Sequence, residues 1–298
     1  MPLEYYEPID FVERVTEAEQ VSFVFGSALT GMKDGIGILE PKEIVEFIKN
    51  KMFREGHQDS FLEHMGKFKG ENEYQIAFEF LVRKYGIDGV NKVIREIVKL
   101  NEDPLTGRQR IPENVRLFAK SVKDKKINLK YIITTNFDTL IEEAFNDEGI
   151  QFNSLSIVSN SNINDNSNGF ITIVHIHGAW DRGDTMHTRN QLLRKRGKIE
   201  ESLKNIVQDG QLCVMAYGAW EDSFTRTLAS LLDNNISTYS LIWCFYPDIS
   251  GQIDRDYANV FSLLDEAISR ERVQFYKGID CREIFGKIDR EVASRKKP

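Results

Sequence analysis

The chain reads as an α/β protein with a Rossmann-like, doubly wound, mostly parallel sheet, a helical insertion and no zinc ribbon. Three observations predict this fold. Short apolar runs rich in β-branched residues recur along the 298 residues, including Val21–Phe25, Tyr131–Thr135, Ile171–His177, Leu212–Tyr217 and Tyr239–Tyr246. Runs of this kind, apolar on both faces, suit strands buried in a parallel sheet. Amphipathic helical patterns separate them, and polar residues and glycines gather after the runs, where open α/β sheets bind ligands. No internal repeat is visible.

Val21–Phe25 leads straight into Gly26-Ser27-Ala28-Leu29-Thr30-Gly31. A strand followed by small residues can bring backbone amides close to a diphosphate. The glycines are too few for GxGxxG, and a plain tight turn satisfies the same pattern. Pro41 opens a helix with Ile44, Val45, Phe47 and Ile48 on its apolar side. From about Asp59 to Val122 the pattern is helical, with Phe78, Phe80, Leu81 and Tyr85 on one face and Val93, Ile94, Ile97 and Val98 on another. We expect one domain over residues 1–298, with residues 59–122 inserted over the ligand crevice. His57 and His64 have no ligand partner at metal spacing and read as packing or surface residues.

Tyr131–Thr135 turns through Asn136 and Asp138 into a helix, Thr139–Phe145. Asp138 either caps that helix or faces the crevice. Gln151–Val158 is a further strand, and Ser159–Gly169 is a polar surface loop. Ile171–His177 ends in two histidines of one strand parity, followed by Gly178. Here His175 suits a hydrogen bond to a backbone carbonyl, while His177 can face a pocket as a base. Thr185–Ile206 is basic, with Arg189, Arg194, Lys195, Arg196 and Lys198, and reads as a solvated helix face. Leu212–Tyr217 runs into Gly218-Ala219-Trp220-Glu221-Asp222, where Asp222 either caps a helix or holds a ribose hydroxyl. Val273–Tyr276 closes the sheet.

Composition excludes several classes. A formal charge of −7 disfavours nucleic acid as an electrostatic partner. No apolar run reaches the roughly 18 residues of a membrane span, and the acidic Met1–Glu7 stretch does not read as a signal sequence. Cys213, Cys244 and Cys281 are odd in number and widely spaced. They suit reduced core thiols in a cytoplasmic protein, and without a CxxC pair there is no four-cysteine zinc site. No metal is expected.

Taken together, four of these stretches resemble the sirtuin superfamily, in particular the sirtuin-like domains of bacterial antiphage defence proteins. Gly26-Ser27-Ala28-Leu29-Thr30 is similar to the GAGxS loop, with Ala28 in place of the second glycine. Thr135-Asn136-Phe137-Asp138 resembles TxNxD, Ile176-His177-Gly178 resembles LHG, and Tyr217–Asp222 resembles the late GxGxxD-type loop. The match runs across roughly residues 20 to 250, and its second and third motifs are the specific ones. The resemblance implies NAD as substrate. Asn136 and His177 would then be catalytic, and Gly26, Ser27, Ala28, Thr30, Thr135, Asp138, Gly178, Gly218 and Asp222 would bind NAD.

Lacking the zinc ribbon that helps deacylases hold a peptide, the chain is expected to hydrolyse the nicotinamide–ribose bond, depleting NAD in abortive infection. The alternatives are an NAD or ADP-ribose sensor without catalysis, or an NAD-dependent protein deacylase. An exposed Asp138, with a pKa of about 3.9, would be a poor base and would instead fix the loop or the ribose. The resemblance further implies a homo-oligomer on activation and a sensor domain, C-terminal or separate. With no P-loop in this sequence, the chain would be an excised effector domain or a short protein served by another sensor.

Overall fold

β2 (Val21–Phe25) shows how the sheet is built. Its side chains alternate between two apolar layers, Phe23 and Phe25 on one face and Val24 on the other, and the whole strand is buried. Such a strand needs helices on both sides. A computed structural model of the chain describes residues 3–163, 169–206, 210–218, 223–232 and 240–295. The remaining strands are β1 (Tyr5–Tyr6), β3 (Leu129–Thr134), β4 (Phe152–Ser156), β5 (Ile171–His175), β6 (Gln211–Met215), β7 (Ser240–Cys244) and β8 (Val273–Tyr276). They form an eight-stranded sheet in the order β1-β8-β7-β6-β2-β3-β5-β4, and every pairing is parallel.

One face is covered by α1 (Pro8–Thr16), α5 (Glu113–Lys123), α6 (Leu140–Asp147) and α13 (Ile284–Arg295). At its centre Phe118 of α5 meets Phe23 and Phe25 edge-on, with centroids 5.7 and 5.2 Å apart, and Phe285 of α13 at 4.9 Å. Edge-to-face pairs align the positive ring edge with the negative face, adding about 0.5–1.5 kcal/mol each to area burial. The opposite face carries α8 (Gly197–Ile206), α9 (Ser223–Leu232), α10 (Ser250–Asp256), α11 (Ala258–Leu263) and α12 (Asp265–Ser269), while α7 (Arg189–Leu192) leads into α8.

The helical block divides differently from its sequence pattern. α2 (Pro41–Arg54), α3 (Gln58–Lys67) and α4 (Glu73–Lys99) share their own apolar cluster, which also takes in Ile38, Phe137 and Leu140. α5, at the end of the predicted 59–122 block, packs instead on the sheet. The cap over the crevice is thus α2–α4, and it begins at Pro41. Within α4 the helical φ/ψ run breaks at Gly86, whose φ of 68° favours a residue without Cβ and redirects the chain between the two apolar faces.

The sheet also ends differently. β8 is an inner strand, with β1 paired outside it, Tyr5 against Phe275 and Tyr6 against Tyr276. A two-residue strand carries no periodic signal, but Tyr6 and Tyr276 rings 5.3 Å apart hold it in register. The chain runs from β2 outward through β3 and β5, then returns to place β6 on β2's other side. This reversal makes the carboxyl ends of β6, β2, β3 and β5 the crevice of the sheet.

Phe118 links four other rings in one layer, Phe23, Phe25, Phe145 and Phe285, so Phe118→Ala is expected to cost about 3–5 kcal/mol of stability by chemical denaturation. A loss below about 1 kcal/mol would mean that this layer collapses around the deletion and is not the anchor described.

Candidate functional site

Two loops meet closely at the strand reversal. The Gly26 amide donates to the Met215 carbonyl at 3.3 Å, and a Cβ on Gly26 would lie 2.4 Å from the Ala216 carbonyl oxygen. Only glycine permits that approach without a shift of the backbone. On the facing strand Ala216 sits in the left-handed region, φ 56°, which is uncommon for a residue with Cβ. After Gly26, Ser27–Leu29 form one turn of 3₁₀ helix, and Thr30 is buried.

The loop after β3 is tied to this turn. Asn136 Nδ2 donates to the Gly26 carbonyl at 3.1 Å and to Thr30 Oγ1 at 3.0 Å, and the Thr30 hydroxyl donates to Asp138 Oδ2 at 2.8 Å. Asp138 Oδ1 accepts the Leu140 amide at 3.2 Å, so this side chain serves the start of α6 as well. Sequence reasoning took Asp138 as exposed, and the structure corrects it. The residue is 5% exposed, and burial pushes its carboxyl above the ordinary range against the hydrogen bonds from Thr30 and Leu140.

The loop after β5 completes the wall. Gly178 takes φ 87°, and a Cβ there would lie 2.3 Å from the Asp184 carbonyl oxygen. The His177 carbonyl accepts the Met186 amide at 2.8 Å, which folds residues 178–186 back on themselves. His177 is buried, and burial together with the nearby Arg196 charge lowers its pKa to about 3. The ring is therefore neutral at neutral pH.

These groups line a pocket of about 760 Å³, its open mouth included. Ser27, Thr30, Thr135, Asn136, Asp138, His177 and Gly218 all reach it. Gly26, Ala28 and Gly178 do not line it. Gly26 and Gly178 shape the backbone, and Ala28 packs against the sheet-face core, its carbonyl accepting Cys281 Sγ at 3.3 Å. Asp222 lies outside the described residues.

Among the lining residues that sequence reasoning missed are His187 and Tyr74. His187 stacks on Phe78 at 4.2 Å, and its Nδ1 is 2.7 Å from the Tyr74 hydroxyl and its Nε2 2.7 Å from Thr185 Oγ1. Burial, then the neighbouring His177, lowers its pKa to about 3 as well. Ile44 of α2 and Tyr74 of α4 add the cap's wall to the pocket. Neither His187 nor Tyr74 lies near a strand end, so no motif marks them.

Of two further expectations, that for His175 holds and that for Arg196 changes. His175 bonds to a backbone carbonyl, that of Asn136 at 2.8 Å, but also to Glu142 Oε1 at 2.7 Å. Arg196 is not on a solvated face. It is 3% exposed and donates Nη1 to the Ile176 carbonyl at 2.6 Å, bracing the strand end behind His177, while Arg194, Lys195 and Lys198 are exposed as expected. Among the described residues, no group of three or more histidine, cysteine, aspartate or glutamate side chains is placed to hold a metal ion, and no helix is long and apolar enough to cross a membrane.

Residues 130–260 match the family model described as SIR2-like domain. That span runs from β3 into α11 and holds Thr135–Asp138, His177–Gly178 and Gly218, while Gly26–Thr30 precede it. The fold is also similar to solved structures. One is a Sir2 homologue in complex with NAD, at 11% identity and TM-score 0.49, covering 98% of this chain and 96% of that one. Another is a mutant Sir2 homologue with ADP-ribose, at 11% identity and TM-score 0.49, covering 97% and 98%. A third is a Sir2 mutant with a peptide and NAD, at 11% identity and TM-score 0.46, covering 97% and 100%. No curated protein matches the chain by sequence.

Two buried neutral histidines contribute to the acid response with the same sign. Their folded pKa values, about 3, lie below the ordinary 6.5. The unfolded chain therefore binds more protons between these values, and stability falls as pH drops from 6.5 towards 3. His187→Gln is expected to reduce the slope of unfolding free energy against pH in that window by about one proton, about 1.4 kcal/mol per pH unit. An unchanged slope in denaturation midpoints across that range would show that His187 is not held neutral.

Proposed function

We propose that the chain is an NAD glycohydrolase, which cleaves the nicotinamide–ribose bond and passes the ribosyl cation to water. The observation that carries this reading is the convergence of Asn136, Asp138 and a neutral His177 in one buried pocket at the strand reversal, roofed by α2–α4. The match of residues 130–260 to a SIR2-like domain supports NAD as the nucleotide.

Nicotinamide leaves from NAD as a neutral molecule, so its departure needs little acid assistance, and the transition state has oxocarbenium character. A water adding to such a cation becomes strongly acidic as the new bond forms. Even a weak base then suffices, and His177 accepts that proton because burial keeps its ring uncharged. Asn136 is held in place by Gly26 and Thr30 and orients the water or the ribose hydroxyls. Asp138, shared between Thr30 and the start of α6, holds the ribose side of the pocket. Ser27 and Gly218, on the two loops that meet at the reversal, flank the diphosphate.

The cap favours hydrolysis over transfer to a peptide. Asn136 and His177 are 6% and 8% exposed, which suits an acceptor the size of water. In the cell, the reading extends to depletion of NAD on infection, in an oligomer controlled by a sensor.

The test is nicotinamide release from NAD by the purified chain, at low and high protein concentration, beside His177→Ala and Asn136→Ala. Each variant is expected to lose about 10²-fold or more of the turnover while melting as the parent does. Near-parental turnover in both would sink the assignment. ADP-ribose binding without release at any concentration would favour the sensor, and release only with an acylated peptide would favour a deacylase. A steep rise in specific activity with concentration would support activation by assembly.

A further inference from the structure

Beneath the pocket lies a charged cluster that the proposed reaction does not use directly. His175 ends β5, and its ring nitrogens face two acceptors. Nδ1 is 2.8 Å from the Asn136 carbonyl oxygen and Nε2 is 2.7 Å from Glu142 Oε1. A carbonyl oxygen only accepts, so Nδ1 carries a hydrogen. Glu142 Oε1 also accepts Arg182 Nη2 at 2.9 Å and Ser154 Oγ at 2.7 Å. An oxygen that already accepts from a hydroxyl and a guanidinium is that of an ionised carboxylate, so Nε2, 2.7 Å from it, carries a hydrogen too.

We propose that His175 is a positioning residue held as an imidazolium, clamping the Asn136 carbonyl to β5 and Glu142 of α6. The carbonyl belongs to the peptide bond joining Asn136 to Phe137, so the clamp fixes the backbone at Asn136. The side-chain bonds to Gly26 and Thr30 then have a single direction in which to form. This role rests on the glycohydrolase reading, whereas the charge on the ring does not.

The charges facing the ring are Glu142 from α6, Arg182 from the loop after β5, and Asp138 from the loop after β3. Burial alone favours a neutral ring, as does Arg182. The hydrogen bond and charge of Glu142 outweigh both and hold the His175 pKa up. For Glu142, burial works against ionisation, but His175 and Ser154 bring its pKa down to about 2. A raised histidine pKa means that the charged clamp is complete at low pH and is lost as pH rises through the folded value.

The charge is tested by NMR of the chain carrying ¹⁵N-labelled histidine, which holds only 5 histidines, with His175→Gln for assignment. Both His175 ring nitrogens are expected to stay protonated from about pH 6 into the range where an unperturbed histidine is neutral. One unprotonated ring nitrogen throughout that range would overturn the proposal, whatever the activity. The positioning role is tested with Glu142→Gln, whose amide can donate to a neutral ring. We expect kcat for NAD to fall about tenfold or more, since small misplacements of a positioned group are costly. KM should stay within about twofold, and the alkaline limb of the pH profile should move to lower pH because the group that raises the histidine is gone. A lower melting temperature with kcat per folded molecule and that limb unchanged would reduce His175 to a structural part and refute the positioning role. If the parent chain releases no nicotinamide, the functional proposal fails while the ring protons still decide the charge.

Discussion

One hydroxyl joins the two loops that make the pocket. Thr30 Oγ1 accepts from Asn136 and donates to Asp138 across more than a hundred residues of sequence. A hydroxyl can do both at once, whereas an amide hydrogen or a carboxylate cannot. With this bond made, the turn after β2 and the turn after β3 are a single polar layer. Gly26 supports the layer by allowing β2's end to lie against Ala216, and Asn136 closes it onto the Gly26 carbonyl. In a buried setting each of these bonds is worth more than at the surface, and leaving one unmade would cost the desolvation of its partner. The pocket's polar wall therefore forms together or not at all.

Behind that wall the protein separates charge over a very short distance. His175 and His177 are two residues apart, yet Glu142 favours a cation at the first while burial and Arg196 exclude one from the second. The difference lies in what faces each ring. His175 meets two acceptors, one of them a carboxylate, whereas His177 is buried near the Arg196 charge and His187 is stacked on Phe78 between the Tyr74 and Thr185 hydroxyls. Two environments give one residue type two charge states at neutral pH.

How much of this was legible follows from where each signal sits. The parallel sheet could be read from its buried strands, since both-face burial leaves continuous apolar runs, and the polar residues at strand ends could be read because that position has few structural uses. Thr30, Asn136, Asp138 and His177 belong to this class. His187 and Tyr74 do not, because they meet only when α4 folds over the crevice, 113 residues apart in sequence. Glu142, in the first turn of an amphipathic helix, carries no sequence signal that singles it out, and Arg196 reads as one more charge in a basic run. Their burial depends on partners in β5 and its loop that no local pattern names. The division between α4 and α5 was hidden for the same reason, since both are amphipathic and only the third dimension tells cap from sheet layer.

The cap and the loop after β3 are not independent bodies. Phe137 lies between Asn136 and Asp138, yet its side chain, with that of Leu140, belongs to the apolar cluster of α2–α4. Trp180 adds a second tie, its amide donating to the Phe137 carbonyl at 2.9 Å and its indole to Thr139 Oγ1 at 3.2 Å. Lifting the cap would expose both Phe137 and Leu140, at about 1.5–3 kcal/mol each. A cost of about 3 kcal/mol or more leaves the open form below about one molecule in a hundred. The polar wall is thus organised chiefly while the cap is down, and the same apolar contacts that exclude bulk water hold Asn136 in register. Exclusion of solvent and alignment of the loop are one energetic event.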